Sequence, residues 1–182
     1  MKRKTELRVK KIFIIGCIDD EMNRTVLFDL HDTEWEKDKI TDLYIYISSG
    51  GGILSDCFSM LDTIEYLKES LKIKVTTFGL GEVGSCAFYM FLLGDVRYLF
   101  EKSRIFVHEH IVIEGPEMTY SEKQRNVKTD EKEIYSVYRN WIAKRLKISN
   151  AKASVLLRKN DWLTKKEITN FGITTGELNP NE

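Results

Sequence analysis

Apolar positions along this chain switch between two spacings, and the switches mark out its elements. Lys11 to Gly16 carries a short apolar run, Ile12-Phe13-Ile14-Ile15, of strand length. Asp19 or Asp20 stands where a helix cap belongs, ahead of Met22, Val26, Leu27 and Leu30 at helical spacing. Asp42 to Ile47 predicts a second strand, and Ser48 to Gly52 a glycine-rich turn. Asp56 to Ser70 predicts a helix with Phe58, Leu61, Ile64 and Leu67 on one face. Lys74 to Phe78 is rich in β-branched residues and predicts a third strand. A turn through Gly79, Gly81 and Gly84 follows, then an apolar helix over Cys86 to Leu93. Val96 to Phe100 and Ile105 to Val107 predict two more strands. Strands alternating with helices argue for an α/β fold, a parallel sheet with helical crossovers.

The C-terminal third reads differently. Thr119-x-x-Glu122 is a capping box that can open a long helix reaching about Lys147. Val127, Ile134, Val137, Tyr138, Trp141 and Ile142 form its apolar stripe. Its length and charge suit a helix that projects against another subunit, or one laid across the sheet. A short helix over Ala151 to Leu157 follows, and Thr164-x-x-Glu167 caps a last one that stops at Gly172. The polar first ten residues read as an arm, and residues 11–182 as one domain.

Composition narrows the function classes. With 28 basic and 28 acidic residues in 182, the formal net charge is zero. That leaves no electrostatic argument for nucleic acid or an anionic membrane. The longest apolar run, Cys86 to Leu93, falls far short of a membrane span. The basic start runs into Glu6 rather than an apolar core, so no secretory signal is expected and the cytoplasm is the expected location. Cys17, Cys57 and Cys86 have no metal-like spacing and read as buried thiols in a reducing compartment, with no metal expected. Cys86 reads as a small residue packed under the turn, with a reactive thiol as the alternative.

Open α/β sheets place their ligands at the carboxyl ends of the strands. Three predicted loops fall there: Ser48–Gly52, Gly79–Ser85 and His108–His110. A serine between a strand and a helix has an exposed hydroxyl among unpaired backbone N–H groups. A histidine at a strand end can be its base. The Gly50-Gly51-Gly52 run lets backbone approach a substrate and turn an N–H toward it, with the N–H of Cys86 as a second donor. Losing one such donor typically costs about 100- to 1000-fold in rate. Ala87 stands where the G-x-S-x-G motif has its second glycine, which argues against an α/β-hydrolase.

Five ordered segments are more specific than any of these alone. They are Ile14-Ile15-Gly16-Cys17-Ile18-Asp19-Asp20, Leu43 to Gly52, Gly79 to Phe88, Ser103-Arg104-Ile105-Phe106-Val107-His108, and Trp162-Leu163-Thr164 with Glu167 to Gly172. Together they resemble the ClpP family, the proteolytic subunits of the ATP-dependent Clp protease, over roughly residues 10 to 177. The resemblance implies a crotonase-like ClpP fold with a protruding helix–strand handle at about 109–147. It implies a serine endopeptidase with no cofactor, acting on unfolded polypeptides inside a homo-oligomeric chamber, a heptameric ring or stacked double ring. Ser85 would be the nucleophile and His108 its base. Gly52 and Cys86 would form the oxyanion hole, and Gly51 and Ile53 would line the substrate.

The departures are specific. The third catalytic position, usually aspartate, falls on Asn160, with Asp161 as the alternative one residue on. His110 replaces a proline, and Glu109 to Gly115 replaces a glycine-rich stretch. The N-terminal segment is short and basic where the family's is apolar, so an AAA+ unfoldase is the weaker partner expectation. Two other readings stand beside the peptidase. One is a weakly active or inactive ClpP-like subunit with a structural or peptide-binding role. The other is a crotonase-type acyl-CoA enzyme, which would need neither Ser85 nor His108.

Overall fold

Strands run longer than the apolar runs that announce them. In the computed structural model of the protein, residues 8–108 and 135–176 are described. Strand β1 (Val9–Ile18) begins inside the expected N-terminal arm. Helix α1 (Asp20–His31) follows, its N-cap Asp19 accepting the Met22 N–H at 2.9 Å. Then come β2 (Asp42–Gly52), α2 (Leu54–Leu71), β3 (Lys74–Gly84), α3 (Ala87–Leu92), β4 (Val96–Leu99) and β5 (Arg104–Val107). The chain continues with α4 (135–146 of the described residues), α5 (Asn150–Leu157), β6 (Asp161–Trp162) and α6 (Lys165–Asn170).

The sheet runs β1-β2-β3-β5-β6, with β4 also on β3. The β1–β2, β2–β3, β3–β4 and β3–β5 pairs are all parallel. Parallel neighbours need a crossover, and α1 and α2 supply the first two.

Two predicted turns are strand instead. Ser48–Gly52 is the end of β2, pairing Cys17 with Gly51 and Ile18 with Gly52. The register shifts between the Ile15–Ser48 and Cys17–Gly51 pairs, where β2 carries one extra residue, and the pairing continues past the apolar run. Strand β3 likewise passes Phe78 and reaches Gly84. One edge of β3 then serves two neighbours in turn: residues Thr76 to Gly79 pair with β4, and Glu82 to Gly84 with β5.

The core lies between the sheet and α1–α3. Ile12, Ile14, Leu43, Ile45, Ile47 and Val75 are buried beneath Val26, Leu30, Cys57, Met60, Leu61 and Ile64. All six residues of α3 are buried, which explains a helix apolar on every side. Each fully buried large side chain contributes about 1.5–3 kcal/mol. Across the strands Phe13, Tyr46, Phe78 and Tyr98 form a stacked row, with successive centroids 5.2, 4.7 and 5.4 Å apart. Cys57 and Cys86 are buried as expected, but Cys17 is exposed: it lies on an edge strand just past the register shift.

The chain divides into two compact units. One comprises Met1–Phe106 with Trp162–Glu182, the other Val107–Asp161. In the first, the buried Arg97 guanidinium donates to the carbonyls of Gly94, Gly172 and Ile173 at 2.9, 3.0 and 2.6 Å. Thr164 and Glu167 form the expected capping box before α6. In the second unit α4 buries Ile142, Ala143 and Leu146 but leaves Val137 61% exposed. The inward face is therefore set by the 142/143/146 triplet, and Val137 leaves the predicted stripe. The expected capping box at Thr119 and Glu122, most of the handle, His110 and residues 1–7 lie outside the described residues. Among the described residues no helix is long and apolar enough to cross a membrane.

Candidate active site

Two residues separate the end of β3 at Gly84 from the start of α3 at Ala87. The chain turns within them by placing Ser85 at φ +50°, a left-handed conformation that costs a non-glycine residue about 1–2 kcal/mol. Ser85 is held there from both sides. Its N–H donates to the Phe106 carbonyl of β5 at 3.1 Å, and its carbonyl accepts the Phe88 N–H at 3.1 Å. Strain held by its surroundings is concentrated at functional sites. Ser85 is half-buried, and Cys86 after it is the N-cap of α3 with no side-chain capping bond.

The glycine end of β2 packs directly on this turn. A side chain at Gly51 would place its Cβ 2.6 Å from Ser85 Cβ, 2.9 Å from the Gly84 carbonyl oxygen and 3.1 Å from the Cys86 nitrogen. Gly51 also has φ +101°, and its N–H is taken by Ser49 Oγ at 3.0 Å. What Gly51 provides is clearance for the serine turn. Gly51→Ala is therefore expected to displace that turn and to destabilise the protein by about 1–3 kcal/mol, the usual cost of overpacking. A urea midpoint checks it, and an unchanged midpoint would show that the close approach is unimportant.

Gly52 is equally confined. A Cβ there would lie 2.0 Å from the Ile18 carbonyl oxygen, which accepts the Ile53 N–H at 2.7 Å. Ile53 follows as the N-cap of α2 and is 51% exposed. The carboxylate of Glu82 lies beside the same strands, 3.3 Å from where a Cβ would stand at Gly50 or Gly84. Glu82 is a charged neighbour of the turn that the sequence does not single out, since nothing in its spacing marks it.

Under the turn two thiols meet. Cys57, from α2, has its sulfur 3.2 Å from the Cys86 carbonyl oxygen. The Cys86 thiol is held below its ordinary value first by the Cys57 hydrogen bond. Burial opposes that shift, and the N–H groups of Gly52, Cys86 and Ala87 reinforce it. The Cys57 thiol is pushed well above its ordinary value by the same hydrogen bond, then by burial. Both shifts fit Cys57 as donor and Cys86 as acceptor. A pair 29 residues apart in sequence leaves no local signal, so Cys57 is a residue that sequence reasoning misses.

The remaining predicted residues belong to the second unit. His108 directly follows β5 and is half-buried. Asn160 is exposed between α5 and β6 and, like Ser85, has φ +50°. Asp161 is exposed and opens β6. The residues after it belong to the first unit. Leu163 N–H donates to the Ile105 carbonyl at 2.8 Å, and the Arg104 guanidinium lies 3.9 Å over the Trp162 ring.

A parallel sheet with a serine at a strand–helix turn and a glycine strand end packed on it defines an α/β protein of the ClpP fold. The Clp protease family model matches residues 3–176, and the chain belongs to that family. It is 32% identical over 105 residues to the ATP-dependent Clp protease proteolytic subunit of Carsonella ruddii (strain PV). That match covers 57% of this chain and 51% of the relative, about half its length. Its backbone is similar to that of an Asn-to-Asp mutant of ClpP1 from Listeria monocytogenes, with a TM-score of 0.76. The two are 19% identical, and the likeness covers 92% of this chain and 90% of that one.

Proposed function

We propose that this chain is a serine endopeptidase of the ClpP type, with Ser85 as nucleophile and His108 as base. Ser85 Oγ attacks the peptide carbonyl while His108 takes its proton, forming a tetrahedral intermediate. The N–H groups of Gly52 and Cys86 carry the developing negative charge, and His108 returns the proton to the leaving amine. Water then releases the acyl group from Ser85. Asn160 orients the His108 ring, with Asp161 as the alternative, while Gly51 and Ile53 border the bound peptide. The substrate is unfolded polypeptide admitted to a ring or double ring of identical subunits in the cytoplasm. A Clp ATPase is the partner that would feed it.

One observation supports this reading above the others: the left-handed Ser85 turn, with Gly51 packed on it. An acyl-CoA enzyme would have no use for a strained serine there. A fluorophosphonate probe tests the proposal on assembled protein. A covalent adduct on Ser85, found by peptide mapping and lost in His108→Ala, is the expected result. No adduct would overturn it.

A second reading has its own support. Asn160 is a neutral amide and cannot stabilise an imidazolium as a carboxylate does. On that reading the chain is a weakly active subunit that binds peptides or assembles with others. Adduct formation without measurable peptide turnover would favour it.

A further inference from the structure

We propose that Ser49 is a positioning residue for the Ser85 turn and acts through Gly51. The role rests on the reading of Ser85 as nucleophile and concerns how that residue is held in place.

Strand β2 ends on Gly50-Gly51-Gly52, three residues with no side chain to restrict their own backbone. Gly51 has φ +101° and Gly52 φ +158°, a region that favours glycine. The neighbouring strands hold this end irregularly. Pairing with β1 shifts register between Ile15–Ser48 and Cys17–Gly51. Pairing with β3 shifts between Ile47–Gly79 and Ser49–Val83, and among the described residues Ser49 is the last of β2 to pair with β3. The glycine run beyond it therefore depends on further bonds for its position.

Ser49 supplies one of them. Its side chain is 2% exposed, and its hydroxyl oxygen accepts the Gly51 N–H at 3.0 Å. A contact of this kind, from a serine side chain to backbone two residues on, fixes the chain locally where the ladder does not. Gly51 is buried as well, so deleting the hydroxyl takes an acceptor from a buried N–H, the costly direction of change for a hydrogen bond.

The neighbours of Gly51 carry that bond to the proposed nucleophile. A Cβ on Gly51 would fall 2.6 Å from Ser85 Cβ and 3.1 Å from the Cys86 nitrogen, so Gly51 walls one side of the turn. On the β5 side, the Phe106 carbonyl accepts the Ser85 N–H at 3.1 Å. Ser85, at φ +50°, is in a conformation that persists only where its surroundings impose it. Ser49 thus fixes a support that the Ser85 turn needs, one residue before the proposed Gly52 donor.

The test compares Ser49→Ala, Ser49→Thr and Ser49→Val in the full chain. Threonine and valine have the same bulk, and only threonine keeps an oxygen for the Gly51 N–H, so overpacking is common to both. Ser49→Ala adds no bulk and keeps the comparison where valine prevents folding. Peptide hydrolysis and the rate of Ser85 labelling by the fluorophosphonate are measured. Amide hydrogen exchange over Ser48–Leu54 and Glu82–Phe91 is followed in parallel by mass spectrometry. Ser49→Ala and Ser49→Val are expected to lower kcat and the labelling rate about tenfold or more with little change in KM, since a misplacement of about 1 Å can cost about 100-fold. Exchange should quicken in both segments of these two proteins, and Ser49→Thr should recover rate and protection relative to Ser49→Val. Equal rates in the threonine and valine proteins would overturn the proposal. So would parental rates in Ser49→Ala, or quickened exchange confined to Ser48–Leu54. Absent labelling in the parent chain would instead overturn the catalytic reading, and exchange over Glu82–Phe91 would still decide whether Ser49 holds the turn.

Discussion

Ser85→Ala is expected to lower peptide hydrolysis on the order of a millionfold, the scale on which a serine peptidase depends on its nucleophile. The residual rate over water would come from the oxyanion donors and substrate binding, which the substitution leaves in place. The same position makes a second, independent statement about stability. Ser85 has φ +50° and is not glycine, so the backbone there is strained for the sake of its side chain. Ser85→Gly removes the strain along with the hydroxyl. It should be as inactive as Ser85→Ala yet more stable than it by about 1 kcal/mol. Hydrolysis of a fluorogenic peptide and urea midpoints of the three proteins check both halves. An active Ser85→Ala protein would remove Ser85 from the mechanism.

Asn160→Asp is expected to act in the other direction. In a serine triad, asparagine in place of aspartate holds the histidine in the wrong tautomer and costs about 10⁴ in rate. If Asn160 is the residue behind His108, restoring the carboxylate should raise kcat by up to about 10⁴ with little change in KM. The exposed backbone at Asn160 tolerates the exchange, because aspartate shares asparagine's ease with φ +50°. Asp161→Asn, one residue on, is the control that separates the two registers. A large loss there, with Asn160→Asp unchanged, would assign the third role to Asp161. Equal and robust rates in all three proteins would show that neither residue limits the reaction.

The sequence carried most of the scaffold because the core obeys local patterns. Val26 and Leu30 of α1, and Leu61 and Ile64 of α2, are buried at the spacing that marks them, and Asp19 and Thr164 cap the helices they announce. It failed at the glycines. Ser48–Gly52 and Gly79–Gly84 have turn composition, yet both are strand, because pairing with β1 and β5 decides their conformation and pairing is not local. It failed again where two faces compete, as at the exposed Cys17 and Val137. Within the site, Ser85 was legible from its place between a strand and a helix. The clearance role of Gly51, the nearby Glu82 carboxylate and the Cys57 thiol were not, since each is set by a neighbour about 30 residues away or more. The residue behind the histidine stays ambiguous in sequence because a one-residue shift exchanges an amide for an acid.

Arg97 has a consequence for how the protein is made. Its guanidinium is buried in the first unit, and two of its three carbonyl partners, Gly172 and Ile173, lie 75 and 76 residues downstream. The Arg97 N–H likewise waits for Thr175 Oγ1, 78 residues on. A charge without its acceptors cannot be buried cheaply, so a nascent chain that ends before Gly172 must keep β4 open to water. The sheet around the serine turn can therefore begin to form early in synthesis but closes only after the downstream segment has emerged. A protein whose proposed work is cutting unfolded chains would thus acquire its finished scaffold only after Gly172 to Thr175 have been made.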